Sequence, residues 1–305
     1  MTESQPPPPD GIHALMPTNR MCDAARRRRE AYAITPGVPF LRHEFGYYCL
    51  EEWYEQGLDR DADLNELFTY DPQGRHILWG LGWCEAPFEP PFEVKVVEDR
   101  GDPEVEQDFA GRTVLYFKGR RSGVRPEYLD HPVKDWKTWE NDVKWRIDPS
   151  SAERYAALDD TLAAARDEAG QGNMITQGVV GGYMYLRSLI GPSELLYMFY
   201  DAPDLVHDCM QTWLAIADAV TARHQTQVTF DEVYLAEDIC YNNGCLISPD
   251  MMREFLFPYY QQLKANIQGR QLDPSRHLYV NVDTDGLATP VLPLYMEAIG
   301  LDAMN

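Results

Sequence analysis

The sequence predicts an α/β protein of the (β/α)8 TIM-barrel type. From residue 133 onward, short apolar runs typical of strands alternate with segments of helical length. The strand-like runs include MITQGV (174–179), EVYLAED (232–238) and LYVNVD (278–283). Such alternation favours a parallel sheet with helical crossovers. The chain has 305 residues, 44% of them hydrophobic, which is enough for one large core.

Helix ends are marked by residues that cap helices. Ser248 and Pro249 are typical of an N-cap and a first helical residue, Asn19 is a candidate N-cap, and Gly57 suits a C-cap. The sequence therefore predicts helices at residues 19–33, 50–56, 150–169, 192–200, 203–224, 249–268 and 290–299, with another after Asp135. Short strands are also expected at residues 38–43 and 301–305.

Residues 70–130 differ from the rest of the chain. The runs HILWGLGW, FEVKVVED and RTVLYFK are rich in β-formers and are separated by Gly, Pro and Asp. This pattern predicts an antiparallel β insertion near residues 70–130. Its aromatic residues Trp79, Trp83 and Phe92 either cover a ligand or pack within a small sheet.

The predicted domain organisation is simple. Residues 1–18 include a Pro-rich run and are expected to form a flexible tail, followed by a single barrel domain at 19–305. We expect the last strands of the barrel to be missing, which makes the barrel incomplete. The tail lacks the apolar core of a signal peptide, and no apolar run approaches roughly 20 residues, so a cytoplasmic protein without membrane partners is expected.

The composition restricts the partners. A formal net charge of −22 disfavours binding to nucleic acid, because repulsion from phosphates opposes it. We therefore expect a small-molecule substrate, and a homodimer is compatible with the sequence. Cys240 and Cys245 are the closest pair of six cysteines; they are metal ligands, redox partners or ordinary buried thiols.

Acidic residues follow two of the predicted strands. In a parallel α/β sheet, functional groups gather at the carboxyl ends of strands, where Glu237, Asp238, Asp283 and Asp285 would lie. Asp283 and Asp285 are two residues apart, so both would face one side of a regular strand. Two neighbouring carboxylates supply an acid and a base, or bind a divalent metal. Alternatively, Asp285 belongs to a simple Asp-Gly turn.

Four other residues are candidates. His43 and Glu44 follow the predicted strand at 38–43 and form a plausible acid-base pair, with Arg42 beside them as a substrate-binding group. Asn281, in the strand that ends at Asp283, is counted as a further substrate-binding residue.

Several segments together resemble the uroporphyrinogen decarboxylase superfamily, and especially its methyltransferase-like branch. The likeness is strongest in AEDICYNNGCLISPDMMREFLFPYY, and extends to HPVKDWKTWENDVKWRIDP and VNVDTDGLATPVLPLYMEAIGLDAMN. The resemblance implies a TIM barrel, makes Asp238 the inward acid, and places substrate contacts near Tyr183.

Two departures from that family bear on function. The arginine-rich loop of the classical decarboxylases corresponds here to FLRHEFGYY, which has only Arg42 beside His43 and Glu44. The His-x-Cys-Gly of the zinc methyltransferases corresponds to residues 283–286, where two carboxylates stand instead, and carboxylates favour harder cations than zinc.

Three functions are therefore weighed. The first is a methyltransferase or demethylase that acts on a small methylated substrate with a corrinoid protein as partner. The second is uroporphyrinogen decarboxylase, which acts in tetrapyrrole biosynthesis. The third is a non-catalytic, ligand-binding or degenerate barrel.

Overall fold

The structure, a computed structural model, describes residues 20–43, 47, 49–118 and 126–305. The predicted tail at 1–18, the candidate N-cap Asn19 and the candidate site residue Glu44 lie outside the described residues. The assignment of residues 19–305 to one domain stays a prediction.

Most of the described strands are short. In chain order they are β1 (Arg75–Leu78), β2 (Lys95–Asp99), β3 (Pro103–Gln107), β4 (Thr113–Phe117), β5 (Glu127–Asp130), β6 (Met174–Val180), β7 (Glu232–Ala236), β8 (Cys240–Tyr241), β9 (Gly244–Cys245), β10 (Tyr279–Asp283) and β11 (Ala303–Met304).

The helices confirm most of the predicted positions. They are α1 (Asp23–Tyr32), α2 (Leu50–Glu55), α3 (Leu64–Leu67), α4 (Trp136–Thr138), α5 (Leu158–Gly170), α6 (Gly182–Ile190), α7 (Pro192–Asp201), α8 (Pro203–His224), α9 (Pro249–Phe255), α10 (Phe257–Arg270) and α11 (Leu292–Ile299). A π-helical turn (Trp139–Val143) and two 3-10 turns (Lys144–Ile147, Glu153–Tyr155) accompany them. Within the described ranges, no helix is both long and apolar enough to cross a membrane.

The main sheet is parallel, as predicted. Its strand order is β1-β6-β7-β10-β11, and every neighbouring pair runs in the same direction. Because this spatial order follows the chain order, the sheet has the arrangement of consecutive strands in a (β/α) barrel. Among the described residues β1 and β11 are the two edges, so closure into a complete barrel is not observed.

The antiparallel insertion is confirmed, but its predicted extent was wrong. Strands β2 to β5 form a separate four-stranded antiparallel sheet. Residues 75–78, which the prediction gave to this insertion, instead pair in parallel with β6 as the first strand of the main sheet. The composition of a strand does not reveal its partner, because pairing depends on residues about 100 positions away.

Two predicted elements need correction near prolines. The strand expected at 38–43 is absent, and Pro39 disfavours a strand there, since it has no N–H to donate to a sheet. The helix expected at 249–268 is interrupted at Leu256, where Pro258 cannot donate the hydrogen bond that would join α9 to α10.

Helix α6 was not predicted, because Gly181 and Gly182 suggested a loop. The glycine at 182 is required by packing. A Cβ there would lie 2.6 Å from the Cε of Met210 and 2.8 Å from the hydroxyl of Tyr260. The first turn of α6 is therefore pressed against α8 and α10.

The two faces of the parallel sheet are chemically different. On the outer face, Val233 and Leu235 of β7 line a small apolar cavity together with Trp213 of α8 and Leu263 of α10, and all four belong to the buried core. This apolar layer joins the sheet to its helices, and burial of such side chains supplies the main stabilising free energy.

The inner face holds a buried polar network around Glu232 of β7. The carboxylate of Glu232 lies 3.2 Å from Arg75 Nη1. It also accepts hydrogen bonds from Thr176 Oγ1 at 2.6 Å, Asn281 Nδ2 at 2.9 Å and the Tyr32 hydroxyl at 2.5 Å. The network thus joins β1, β6, β7 and β10 to α1, which covers the amino-terminal end of the sheet.

The Glu232 network generates a stability prediction. Arg75→Met removes the nearest cation and leaves a buried carboxylate without its direct ion-pair partner. We expect a loss of about 3–5 kcal/mol in the free energy of unfolding, measured by urea denaturation. The matched control is Arg60→Met, which removes an exposed ion pair with Glu51 and should leave stability nearly unchanged. Equal effects of the two substitutions would contradict the importance of the network.

Candidate active site

A cleft of about 500 Å³ opens at the carboxyl ends of the parallel strands. One wall follows β1 and contains Trp83, Cys84 and Glu85; the opposite wall consists of Met184, Arg187, Ser188 and Pro192. The floor is formed by Ala236, Asp238, Asp283 and Asp285, and the antiparallel insertion and the segment after it contribute Arg112, Tyr128 and His131. The cleft therefore lies where catalytic groups gather in parallel α/β proteins.

Three of the predicted acids meet in this cleft. Asp283 is the last residue of β10, and burial raises its pKa above the ordinary value of 3.8. A hydrogen bond from Tyr234 opposes this rise, whereas the charges of Asp285 and Asp238 add to it. Asp283 therefore binds a proton more readily than an ordinary aspartate does, as a general acid must.

Asp238 reaches the cleft through an unusual backbone conformation. Its φ of +45° lies in the left-handed region, which aspartate tolerates better than most residues. The N–H groups of Glu237 and Asp238 both donate to the carbonyl oxygen of Asp283, at 2.9 and 3.1 Å. This bend turns the Asp238 carboxylate toward Arg187 of α6, whose Nη2 donates to it at 2.7 Å.

An aromatic layer lies beneath the acids. The rings of Trp83 and Tyr234 stack with centroids 5.4 Å apart, and Trp79 meets Trp83 edge-on at 5.3 Å. Gly178 of β6 makes room for this layer, since a Cβ there would lie 2.8 Å from the Trp79 ring. Of the aromatic residues considered from sequence, Trp83 lines the cleft.

His131 and Arg112 form the side of the cleft next to the insertion. Burial, followed by the nearby charge of Arg112, lowers the pKa of His131 to about 4. The imidazole is therefore neutral at neutral pH. Arg112 is held by Asp108 at 2.7 Å and by Glu85 at 2.9 Å.

The charges that line the cleft favour particular ligands. Four carboxylates (Glu85, Asp238, Asp283 and Asp285) face two guanidinium groups (Arg112 and Arg187), and both guanidinium groups are already in ion pairs. A polyanionic ligand would meet net repulsion here, whereas a neutral or cationic one would not.

Glu237 points away from the cleft and anchors α6. Its carboxylate accepts hydrogen bonds from the Tyr260 hydroxyl at 2.7 Å and from the N–H of Tyr183 at 3.2 Å. The positive end of the α6 dipole also favours a carboxylate at this place. Burial nevertheless dominates and raises the pKa of Glu237 to about 7.

Four other predicted site residues do not line the cleft. Arg42 is exposed, and its backbone N–H donates to Asp71 at 2.9 Å; His43 likewise lies outside the cleft. The sequence predicts Arg42 and His43 at the end of the first parallel strand. In the structure the first strand of the parallel sheet is β1, which begins only at Arg75. Tyr183 is buried in the first turn of α6, and Asn281 donates to Glu232 within the buried network. In the described structure Tyr183 and Asn281 therefore make structural contacts, and their predicted contacts with substrate stay predictions.

The metal site at Asp283 and Asp285 stays a prediction. In the part of the chain that the structure describes, no group of three or more His, Cys, Asp or Glu side chains could hold a metal ion.

Sequence reasoning missed Arg187, Arg112 and His131. A usable signal existed for Arg187, because residues 182–190 follow a strand and have a long apolar side, which suits a crossover helix. No local signal marks Arg112 or His131, since the insertion brings them to the cleft from outside the parallel sheet.

Two comparisons with known proteins found similarities. A family model described as uroporphyrinogen decarboxylase (URO-D) matches residues 120–305, which is more than half of the chain and includes Asp238, Asp283 and Asp285. A solved methyltransferase from Methanosarcina mazei is similar with 14% identity and a TM-score of 0.42, over 59% of this chain and 49% of that one. The match thus spans about half the length of that methyltransferase. No curated protein matches the sequence.

Burial of Glu237 predicts a pH dependence of stability. Its pKa in the folded protein, about 7, exceeds the ordinary 4.5, so the protonated carboxyl favours folding and this contribution is lost as pH rises from about 4.5 through 7. The difference in the free energy of unfolding between Glu237→Gln and wild type should therefore shift by about 2–3 kcal/mol in favour of the variant as pH rises from 5 to 8. Urea denaturation at each pH measures this difference. The exposed Glu297→Gln should keep the wild-type pH dependence. A parallel profile for Glu237→Gln and wild type would refute the prediction.

Proposed function

Because the chain belongs to the uroporphyrinogen decarboxylase family, we propose that it is an enzyme that transfers a methyl group from a small methylated substrate to a corrinoid carried by a partner protein. The observation that supports this most is the acidic cleft at the carboxyl ends of β7 and β10. Family membership by itself is compatible with decarboxylases and with methyltransferases, so the choice between them rests on the chemistry of the cleft.

The cleft suits a small substrate with few negative charges. Uroporphyrinogen carries several carboxylates, which call for guanidinium groups that are free to bind them. Arg112 and Arg187 are both engaged by acids of the protein. Substrate carboxylates would compete with Glu85 and Asp238 for these cations while facing Asp283 and Asp285.

Asp283 is suited to the step that breaks the bond to the methyl group. When the methyl group leaves a neutral oxygen or nitrogen of the substrate, that atom keeps the bonding electron pair and needs a proton. A protonated Asp283 would supply the proton, because burial and neighbouring acids raise its pKa. The corrinoid of the partner protein would accept the methyl group.

Asp238 and the aromatic layer would position the substrate. The ion pair with Arg187 fixes the Asp238 carboxylate, so it can accept a hydrogen bond from a substrate or attract its positive charge without rearrangement. Trp83 offers an apolar surface to the methylated part of the substrate. These roles need a neutral or cationic methylated compound.

The proposal is tested by methyl transfer to purified corrinoid protein, with methoxylated and N-methylated compounds as donors. Asp283→Asn should lower kcat by about 100-fold or more, because an amide cannot donate a carboxylic proton. Asp160→Asn, which alters an exposed carboxylate on α5, should keep the wild-type rate. The proposal fails if no donor is demethylated, or if Asp283→Asn is as active as wild type.

Uroporphyrinogen decarboxylation is the second candidate, because the family model bears that name. In that reaction Asp238 or Asp283 would stabilise the protonated pyrrole. We expect no release of carbon dioxide from uroporphyrinogen, for the reasons of charge given above. Release of carbon dioxide by the wild type that is lost in Asp238→Asn would favour this candidate.

A non-catalytic barrel is the third candidate. It would be favoured if a tetrapyrrole or corrinoid binds without turnover and if Asp238→Asn and Asp283→Asn leave that binding unchanged.

A further inference from the structure

Two cysteines face each other across a short hairpin beside the cleft. The hairpin consists of β8 and β9, which are joined by a two-residue turn at Asn242 and Asn243. The sulfur atoms of Cys240 and Cys245 are 3.4 Å apart. Cys240 is buried, whereas Cys245 is partly exposed to solvent.

The register of the hairpin makes this contact specific. Cys240 pairs with Cys245, and Tyr241 pairs with Gly244. The N–H of Leu246 donates to the carbonyl of Ile239 at 2.9 Å, so the next pair along the ladder is hydrogen-bonded. Hydrogen-bonded and non-hydrogen-bonded pairs alternate in an antiparallel ladder, which makes the cysteine pair non-hydrogen-bonded.

A non-hydrogen-bonded pair has the backbone spacing that a disulfide needs. Its Cα atoms lie about 4.5 Å apart, within the range of about 4.4–6.8 Å seen across disulfides. Closing the gap between the sulfurs therefore needs side-chain rotation and only a small movement of the backbone.

We propose that Cys240 and Cys245 are a redox modification site that forms a reversible intramolecular disulfide on exposure to low-molecular-mass hydroperoxides. The partly exposed Cys245 reacts first: its sulfur takes one oxygen from the hydroperoxide, giving a sulfenic acid and an alcohol, or water when the oxidant is hydrogen peroxide. The sulfur of Cys240 then attacks that of Cys245, the S–O bond breaks, and water leaves. Two thiols have lost two electrons, and the hydroperoxide has gained them.

The surroundings of the pair favour a slow reaction at neutral pH. Burial, together with the contact to Cys240, raises the pKa of Cys245 to about 12. Because the thiolate is the reactive form, oxidation becomes faster as pH rises toward that value.

The hairpin is tied directly to the loop that carries Asp285. The hydroxyl of Thr284 accepts hydrogen bonds from the N–H groups of Ile239 and Cys240, both at 3.0 Å. Gly286 also lies against the backbone of Tyr241, and a Cβ at Gly286 would come within 2.5 Å of it. A disulfide would therefore restrain the hairpin that follows Asp238 and, through Thr284, the loop that carries Asp285. Asp238 and Asp285 both line the cleft.

The test uses the folded full chain, hydrogen peroxide and peptide mapping. Residues 224–253 contain no internal lysine or arginine, so one tryptic peptide carries both cysteines. Oxidation at pH 8, alkylation of remaining thiols and digestion should yield this peptide unalkylated, about 2 Da below its reduced mass. Treatment with dithiothreitol before alkylation should restore two alkylated thiols.

Two variants make the result specific. Cys49→Ser removes a partly exposed thiol on another part of the chain, and it should form the 224–253 disulfide as wild type does. Cys245→Ser should never give the 2 Da loss. The proposal is overturned if wild type keeps both thiols at pH 8 and pH 9, if the two sulfurs are oxidised separately to acids, or if disulfides join other peptides instead.

Discussion

The buried carboxylate of Glu232 is the constraint on which the rest of the described structure depends. A carboxylate removed from water is tolerated only when a cation and several donors surround it. These donors are supplied by Tyr32, Arg75, Thr176 and Asn281, which are spread over most of the chain. The hydrogen bonds and the ion pair of the Glu232 carboxylate therefore link the register of four strands to the position of α1.

The candidate active site lies directly above that network. Along β7 the inward residues are Glu232, Tyr234 and Ala236, so Tyr234 separates the network from the cleft. The Arg75 guanidinium lies 5.7 Å from the Tyr234 ring centroid, and Trp83 stacks on the same ring. Because Tyr234 also lowers the pKa of Asp283, the protonation of a cleft acid is linked to the ring that lies above the buried ion pair.

The two neighbouring acids at the end of β7, Glu237 and Asp238, contact different parts of the molecule. Glu237 accepts hydrogen bonds at the first turn of α6, whereas Asp238 turns into the cleft and pairs with Arg187 farther along the same helix. Helix α6 is thus held to the strand end at two points. The position of Arg187 in the cleft depends on this attachment, which explains why a helix that sequence reasoning missed is central to the site.

The sequence by itself determined the parallel α/β architecture and the gathering of Asp238, Asp283 and Asp285, because strand-helix alternation and the placement of acids at strand ends are local patterns. Only the tertiary structure decided that residues 75–78 belong to the parallel sheet, that Asn281 serves Glu232, and that Arg112 and Arg187 reach the cleft. Those outcomes depend on contacts between distant segments. A strand or a charged side chain has several suitable partners in the sequence. The partner that it meets is determined only when all of these segments are buried together.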